Sequence, residues 1–87
     1  MVKIIKFEKG PGNKKYTAIL SDGKRVNFGD KRYQQYHDKI GMYSHLDHND
    51  PKRREAYRAR HSKILSNGTP AYKKKYSSSW FSYNYLW

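Results

Sequence analysis

The residues of this chain best suited to chemistry run His45-Leu46-Asp47-His48-Asn49-Asp50, two imidazoles three positions apart among two carboxylates. Nitrogen and oxygen donors of that kind can hold a divalent ion, and the chain has no cysteine to add a thiolate. The same residue types are ordinary turn and cap formers, and here they stand just ahead of Pro51, so a structural role is favoured over a metal. His37 and Asp38 are neighbours in sequence; on a helix their side chains would diverge by about 100° and form no dyad. Gly10-Pro11-Gly12 places a proline where a phosphate cradle needs a backbone N–H. No nucleophile has a plausible base. The expectation is therefore a protein with no catalytic residue, no metal, no cofactor and no small-molecule substrate, that is, not an enzyme.

Charge points elsewhere. Eighty-seven residues carry 19 Lys+Arg against 7 Asp+Glu, a formal net charge of +12. The excess is concentrated: residues 51–76 hold nine basic side chains and one acidic, while residues 77–87 hold neither. Arg53, Arg54, Arg58, Lys63, Lys73, Lys74 and Lys75 are the candidate partner-binding residues, cations that would meet an acidic protein surface or the phosphates of DNA. No recognised nucleic-acid-binding signature accompanies them. Aromatic residues make up 16% of the chain, nine of them Tyr, and Tyr57, Tyr72 and Tyr76 interleave with the basic block, which argues that the block folds. Tyrosine is expected to be the main packing material. The last eleven residues end in Trp80, Phe81, Tyr83, Tyr85, Leu86 and Trp87. Such a segment must close the core or insert into a partner, and Trp80, Phe81, Tyr83, Tyr85 and Trp87 are the candidate aromatic anchor.

A chain this short buries only about 60–65% of the surface it exposes when unfolded, so one small domain is expected over 1–87, with no room for a second. The expected fold class is α+β: a β-rich part over 1–29, a helical part over 30–66, and a basic linker with an aromatic anchor over 67–87. Lys3–Phe7, Tyr16–Leu20 and Arg25–Phe28 read as strands of an antiparallel meander, with Asp22-Gly23 as a hairpin turn. Asp30 can cap a helix over 31–40 whose stripe is Tyr33, Tyr36, His37 and Ile40, closed by Gly41. Asp50-Pro51 opens a second helix running to Ile64, with Tyr57, His61 and Ile64 on one face and Asn67-Gly68 as its stop. Asp30, Tyr33, Tyr57, Arg60 and His61 are assigned structural roles, Arg60 half buried and paired with Asp30 or Asp47. A Ser-capped helix through the aromatic end would be apolar over much of its circumference. No apolar run approaches the roughly 20 residues of a membrane span, and Met1–Phe7 lacks the apolar core of a signal peptide, so a soluble protein retained in the cell is expected.

From Phe28 onward the chain resembles a family of small basic proteins encoded by large nucleocytoplasmic DNA viruses. The resemblance rests on Phe28-Gly29-Asp30, Tyr33 and Tyr36, His48 with Asp50-Pro51, Arg53-Arg54, Tyr57, Arg58-Ala59-Arg60-His61-Ser62 and the Trp-rich ending. It spans roughly residues 14–87, with Met1–Gly10 outside it, and His45 beside His48 blurs which imidazole matches the family's single one. What it implies is a virion-associated structural protein made in the host cytoplasm: a minor capsid or cement component whose partners are the major capsid protein and other minor capsid proteins. The alternative is a virion core protein that binds packaged DNA.

Overall fold

A computed structural model describes every residue except Ile64 and Asn67, together with the side chains of Leu65, Ser66 and Thr69. The fold is α+β. Three strands, β1 (Ile4–Lys9), β2 (Tyr16–Leu20) and β3 (Arg25–Phe28), form an antiparallel sheet in sequence order, followed by α1 (Pro51–His61) and α2 (Ser78–Tyr85). Between the helices lies a two-stranded ribbon, β4 (Leu65–Ser66) with β5 (Thr69–Pro70), then a 3-10 turn at Ala71–Lys73. Among the described residues no helix is long and apolar enough to cross a membrane.

The meander forms as its alternation demands. The register aligns Phe7, Ala18 and Val26 across the sheet and Lys9, Tyr16 and Phe28 beside them, so one face gathers the apolar side chains. The opposite face aligns Glu8, Thr17 and Asn27, and Arg25 reaches Glu8 at 3.0 Å across the central strand. An irregularity between Ile4 and Lys6 turns Ile5 out to solvent. At the β2–β3 turn Gly23 takes φ +89°, and Leu20 and Lys24 close the hairpin through a main-chain bond of 2.9 Å.

The core is aromatic. Tyr16, Ala18, Leu20, Phe28, Tyr43, Phe81 and Leu86 are buried, and Phe28 is stacked between Tyr16 and Phe81 with centroids 5.5 Å and 5.1 Å away. Phenylalanine thus shares the packing role expected of tyrosine. Both helices form at their expected caps. Asp50 accepts the Lys52 N–H at 3.0 Å ahead of Pro51, and Ser77 accepts the Trp80 N–H at 3.1 Å. Helix α1 ends at His61, short of the expected Ile64: Ser62 caps it and Ser62–Lys63 form a turn, the Ser62 and Lys63 N–H groups donating back to Arg58 and Arg60. Ile64 and Asn67 of the expected stop fall outside the described residues.

The helix expected over 31–40 does not form. Asp30 does accept the Arg32 N–H, at 2.9 Å, but it caps a single turn. Beyond it the backbone N–H groups go to tertiary partners: Gln35 to Leu46 O, His37 to Leu86 O and Lys39 to Tyr85 O. Ile40, Gly41 and Tyr43 donate instead to the buried carboxylate of Asp38 at 2.8–3.0 Å. A helix needs those donors for its own i→i−4 bonds, and here long-range acceptors hold them. Accordingly Tyr33 lies out in solvent rather than on an apolar stripe.

Candidate functional site

Two carboxylates organise the 31–50 segment. Asp38 also accepts from the Tyr16 hydroxyl, and Asp47 accepts from the Asp38 N–H at 2.8 Å and from the Gln35 amide. Gln35, fully buried, receives the Lys15 ammonium on its side-chain oxygen and donates to Tyr43 O at 2.8 Å. Burial pulls the Lys15 ammonium below the ordinary lysine value, against Asp38, Asp30 and Asp47, which push it back up. Burial, followed by the Asp38 bond, pushes the Tyr16 phenol upward. Every member of this network is committed to another, which makes it a brace for the loop. The His-Asp cluster weighed as a metal site contributes Asp47 to it as a structural acceptor, with His37 Nδ1 3.3 Å from its other oxygen, while His48 Nδ1 accepts the Asp50 N–H at 3.0 Å. Sequence reasoning missed Lys15, Gln35 and Asp38 because the partners they meet through side chains of other segments lie nine to 22 residues away.

The aromatic terminus turns inward. Phe81 is completely buried, so it takes no part in an external contact; Trp80, Tyr83, Tyr85 and Trp87 are half buried against the protein's own surfaces. Tyr57 sits between two rings, stacked on Trp87 at 4.1 Å and on His61 at 3.9 Å. Burial pushes its phenol up to about 12, opposed by a bond from Ser82 and by Arg60.

The candidate partner-binding cations divide accordingly. Arg54 donates to the Trp87 main-chain oxygen at 2.8 Å and lies over the Tyr36 ring; Arg58 donates to the same oxygen at 2.9 Å and lies 4.2 Å over Tyr83. These two fasten the terminus to α1 and are spent inside the molecule, contrary to their expected place on the partner face. Arg53, exposed, gives one hydrogen bond to Gln34 Oε1 at 2.9 Å. Lys63, Lys73, Lys74 and Lys75 are exposed, with Lys73 and Lys75 near the Tyr72 and Tyr76 rings. Arg60 is a correction as well: it is exposed and unpaired among the described residues, because Arg32 holds Asp30 at 2.8 Å and the loop network holds Asp47. Its neighbour Asp30 drops to about 2 through the Arg32 bond.

A groove of about 620 Å³ opens between α1, the end of β3 and α2, walled by Lys14, Arg53 and Arg60 above Tyr57 and Trp87. Gly29 forms part of this wall at φ +75°, where a Cβ would lie 3.0 Å from both Leu86 and Lys15.

Braced loop, inward-turned rings and outward lysines together define a small cationic α+β domain, and among the described residues no group of three or more His, Asp or Glu is gathered to hold a metal ion. Residues 8–61, more than half of the chain, match a family of unknown function, DUF5754, and the chain belongs to that family. No curated protein and no solved structure matches it.

Proposed function

We propose that the protein is a non-enzymatic structural component that docks by charge onto an acidic protein surface, in the minor capsid or cement role that its likeness to the small basic viral proteins implies. Its partners in that role are the major capsid protein and neighbouring minor proteins of the virion shell. The observation that carries this reading is the imbalance of free charge. Glu8 is taken by Lys6 and Arg25, Asp30 by Arg32, Asp38 and Asp47 by the buried network, and Asp50 by the cap of α1. Asp22 and Glu55 remain exposed, against a larger set of cations. Lys6, Arg25, Arg32, Arg54 and Arg58 have internal partners and Lys15 is the one buried among the described residues, while Lys52, Arg60, Lys63 and Lys73–Lys75 stand exposed. An unneutralised surface of this kind steers toward, and is held by, a negatively charged neighbour.

Reversing Lys63, Lys73, Lys74 and Lys75 to Glu together should weaken incorporation into particles on the order of a hundredfold, taking about 0.7 kcal/mol for each exposed pair. Mass spectrometry of purified particles reads the outcome, and undiminished incorporation refutes the assignment. Duplex DNA is the second reading, favoured by Arg60 and Lys63, exposed and unpaired among the described residues at and just beyond the end of α1. Salt distinguishes the two. A DNA binder loses affinity for any duplex by orders of magnitude between about 50 and 200 mM salt, whereas a shell component stays with capsids emptied of DNA.

A further inference from the structure

We propose that the groove between α1, the end of β3 and α2 is the seat for an acidic peptide segment of the docking partner, with an apolar side chain flanked by carboxylates. This rests on the docking function proposed above and assigns it a site. Lys14 from the β1–β2 loop and Arg53 and Arg60 from α1 surround one opening, and none is in an ion pair among the described residues. Asp30 is the carboxylate on that wall, and both its oxygens are held by Arg32, at 2.8 Å and 3.1 Å. The rim is thus left with a positive excess. Guanidinium groups bind carboxylates through two parallel N–H bonds, which gives such a rim orientation as well as attraction.

The floor fixes the rest of the ligand. Phe28 and Leu86, almost wholly buried, lie beneath it, and the partly exposed Tyr57 and Trp87 supply apolar surface that a wholly charged chain would leave wet. A nucleic-acid strand fits less well. Bases bind without sequence preference by stacking on free ring faces; the Tyr57 ring is covered by Trp87 and by His61, and the exposed Tyr33 ring in the lining has the Arg32 guanidinium 5.7 Å from its centroid. The groove's volume of about 620 Å³ lies within the range of ligand-holding clefts, roughly 300–1,000 Å³.

The test titrates the full-length protein into a fluorescently labelled Asp-Glu-Leu-Glu-Asp peptide, and separately into a labelled single-stranded thymidine oligonucleotide, reading anisotropy. Two variants carry the same change of charge: Arg53→Glu with Arg60→Glu in the groove, and Lys73→Glu with Lys74→Glu outside it. Circular dichroism checks both, and if the first fails to fold, Arg53→Gln with Arg60→Gln replaces it. The groove variant should lose about tenfold in peptide affinity and the outer variant no more than about twofold. Equal losses would show attraction to net charge alone and overturn the site, as would tighter binding of the oligonucleotide or no binding of the peptide. Incorporation into particles separates the two levels. Should reversal of Lys63 and Lys73–Lys75 abolish incorporation while the groove variant binds peptide normally, the site is wrong and the docking function stands.

Discussion

Asp38 gathers four donors, the Tyr16 hydroxyl and the N–H groups of Ile40, Gly41 and Tyr43, onto one buried carboxylate. That single residue determines the path of the whole segment around it, because a buried carboxylate without partners would be prohibitively costly. The imidazoles show the opposite balance. Burial holds His48 and His61 below the usual histidine value, with repulsion from Arg53 and Arg60 respectively adding to it. The unfolded chain therefore takes up protons first as pH falls below about 6.5, so these two groups leave stability intact above that point and withdraw it as pH drops through their folded values. The melting temperature should decline between about pH 7 and 5. His61→Phe keeps a ring against Tyr57 and removes a buried Nδ1 that has no partner among the described residues, so its decline should be shallower than that of the parent protein. Parallel declines in a pH series of thermal melts would contradict this account.

At the level of elements, α2 is the lid of the core. Phe81 stacks on Phe28, and Leu86 and Tyr85 receive the backbone of residues 37–39 through their carbonyl oxygens. Phe81→Ala should cost about 3–5 kcal/mol through lost contacts and the cavity left behind, a large share of the stability of a chain this size. Urea denaturation measures it, and a loss below about 1 kcal/mol would mean that α2 packs elsewhere. The elements differ in how plainly local pattern announces them. Tyr16–Leu20 and Arg25–Phe28 were legible because their alternation and the Asp22-Gly23 turn agree, and α1 because Asp50-Pro51 is followed by ten helix-compatible residues. Tyr33, Tyr36, His37 and Ile40 carry an equally good helical stripe, yet no helix results, because acceptors 11 to 49 residues away claim the N–H groups of Gln35, His37 and Lys39. Local periodicity holds no record of such partners. For the same reason the groove was invisible in the sequence: Lys14, Arg53 and Arg60 converge only after the chain has folded. The outward lysines, in contrast, could be read from composition.

Considered whole, the molecule buries Asp38, spends Asp47 on the same network and faces water with a large excess of cations. Three exposed ion pairs, Lys6–Glu8, Arg25–Glu8 and Arg32–Asp30, add little stability individually. Mutual repulsion within a net charge of +12 acts over the entire surface and opposes compaction. Screening should relieve it: the melting temperature should rise as ionic strength increases from about 0.01 to 0.15 M, where the Debye length shrinks from about 30 Å to 8 Å. Calorimetry at a series of salt concentrations checks the sign, and a steady fall would show that attraction between exposed pairs outweighs repulsion. The same repulsion gives an acidic partner a second effect, since neutralising the surface would stabilise the fold it binds.

The chain's two indoles, Trp80 and Trp87, lie at opposite ends of the last helix, one edge-on to Tyr76 and Phe81, the other flat on Tyr57. Ultraviolet emission from this protein is consequently a natural gauge of one event, the seating of α2 on the sheet and on α1. Far-ultraviolet ellipticity averages over all the strands and helices. Where the two signals part company during denaturation, the sheet outlives its cover; where they coincide, the domain melts as one cooperative unit.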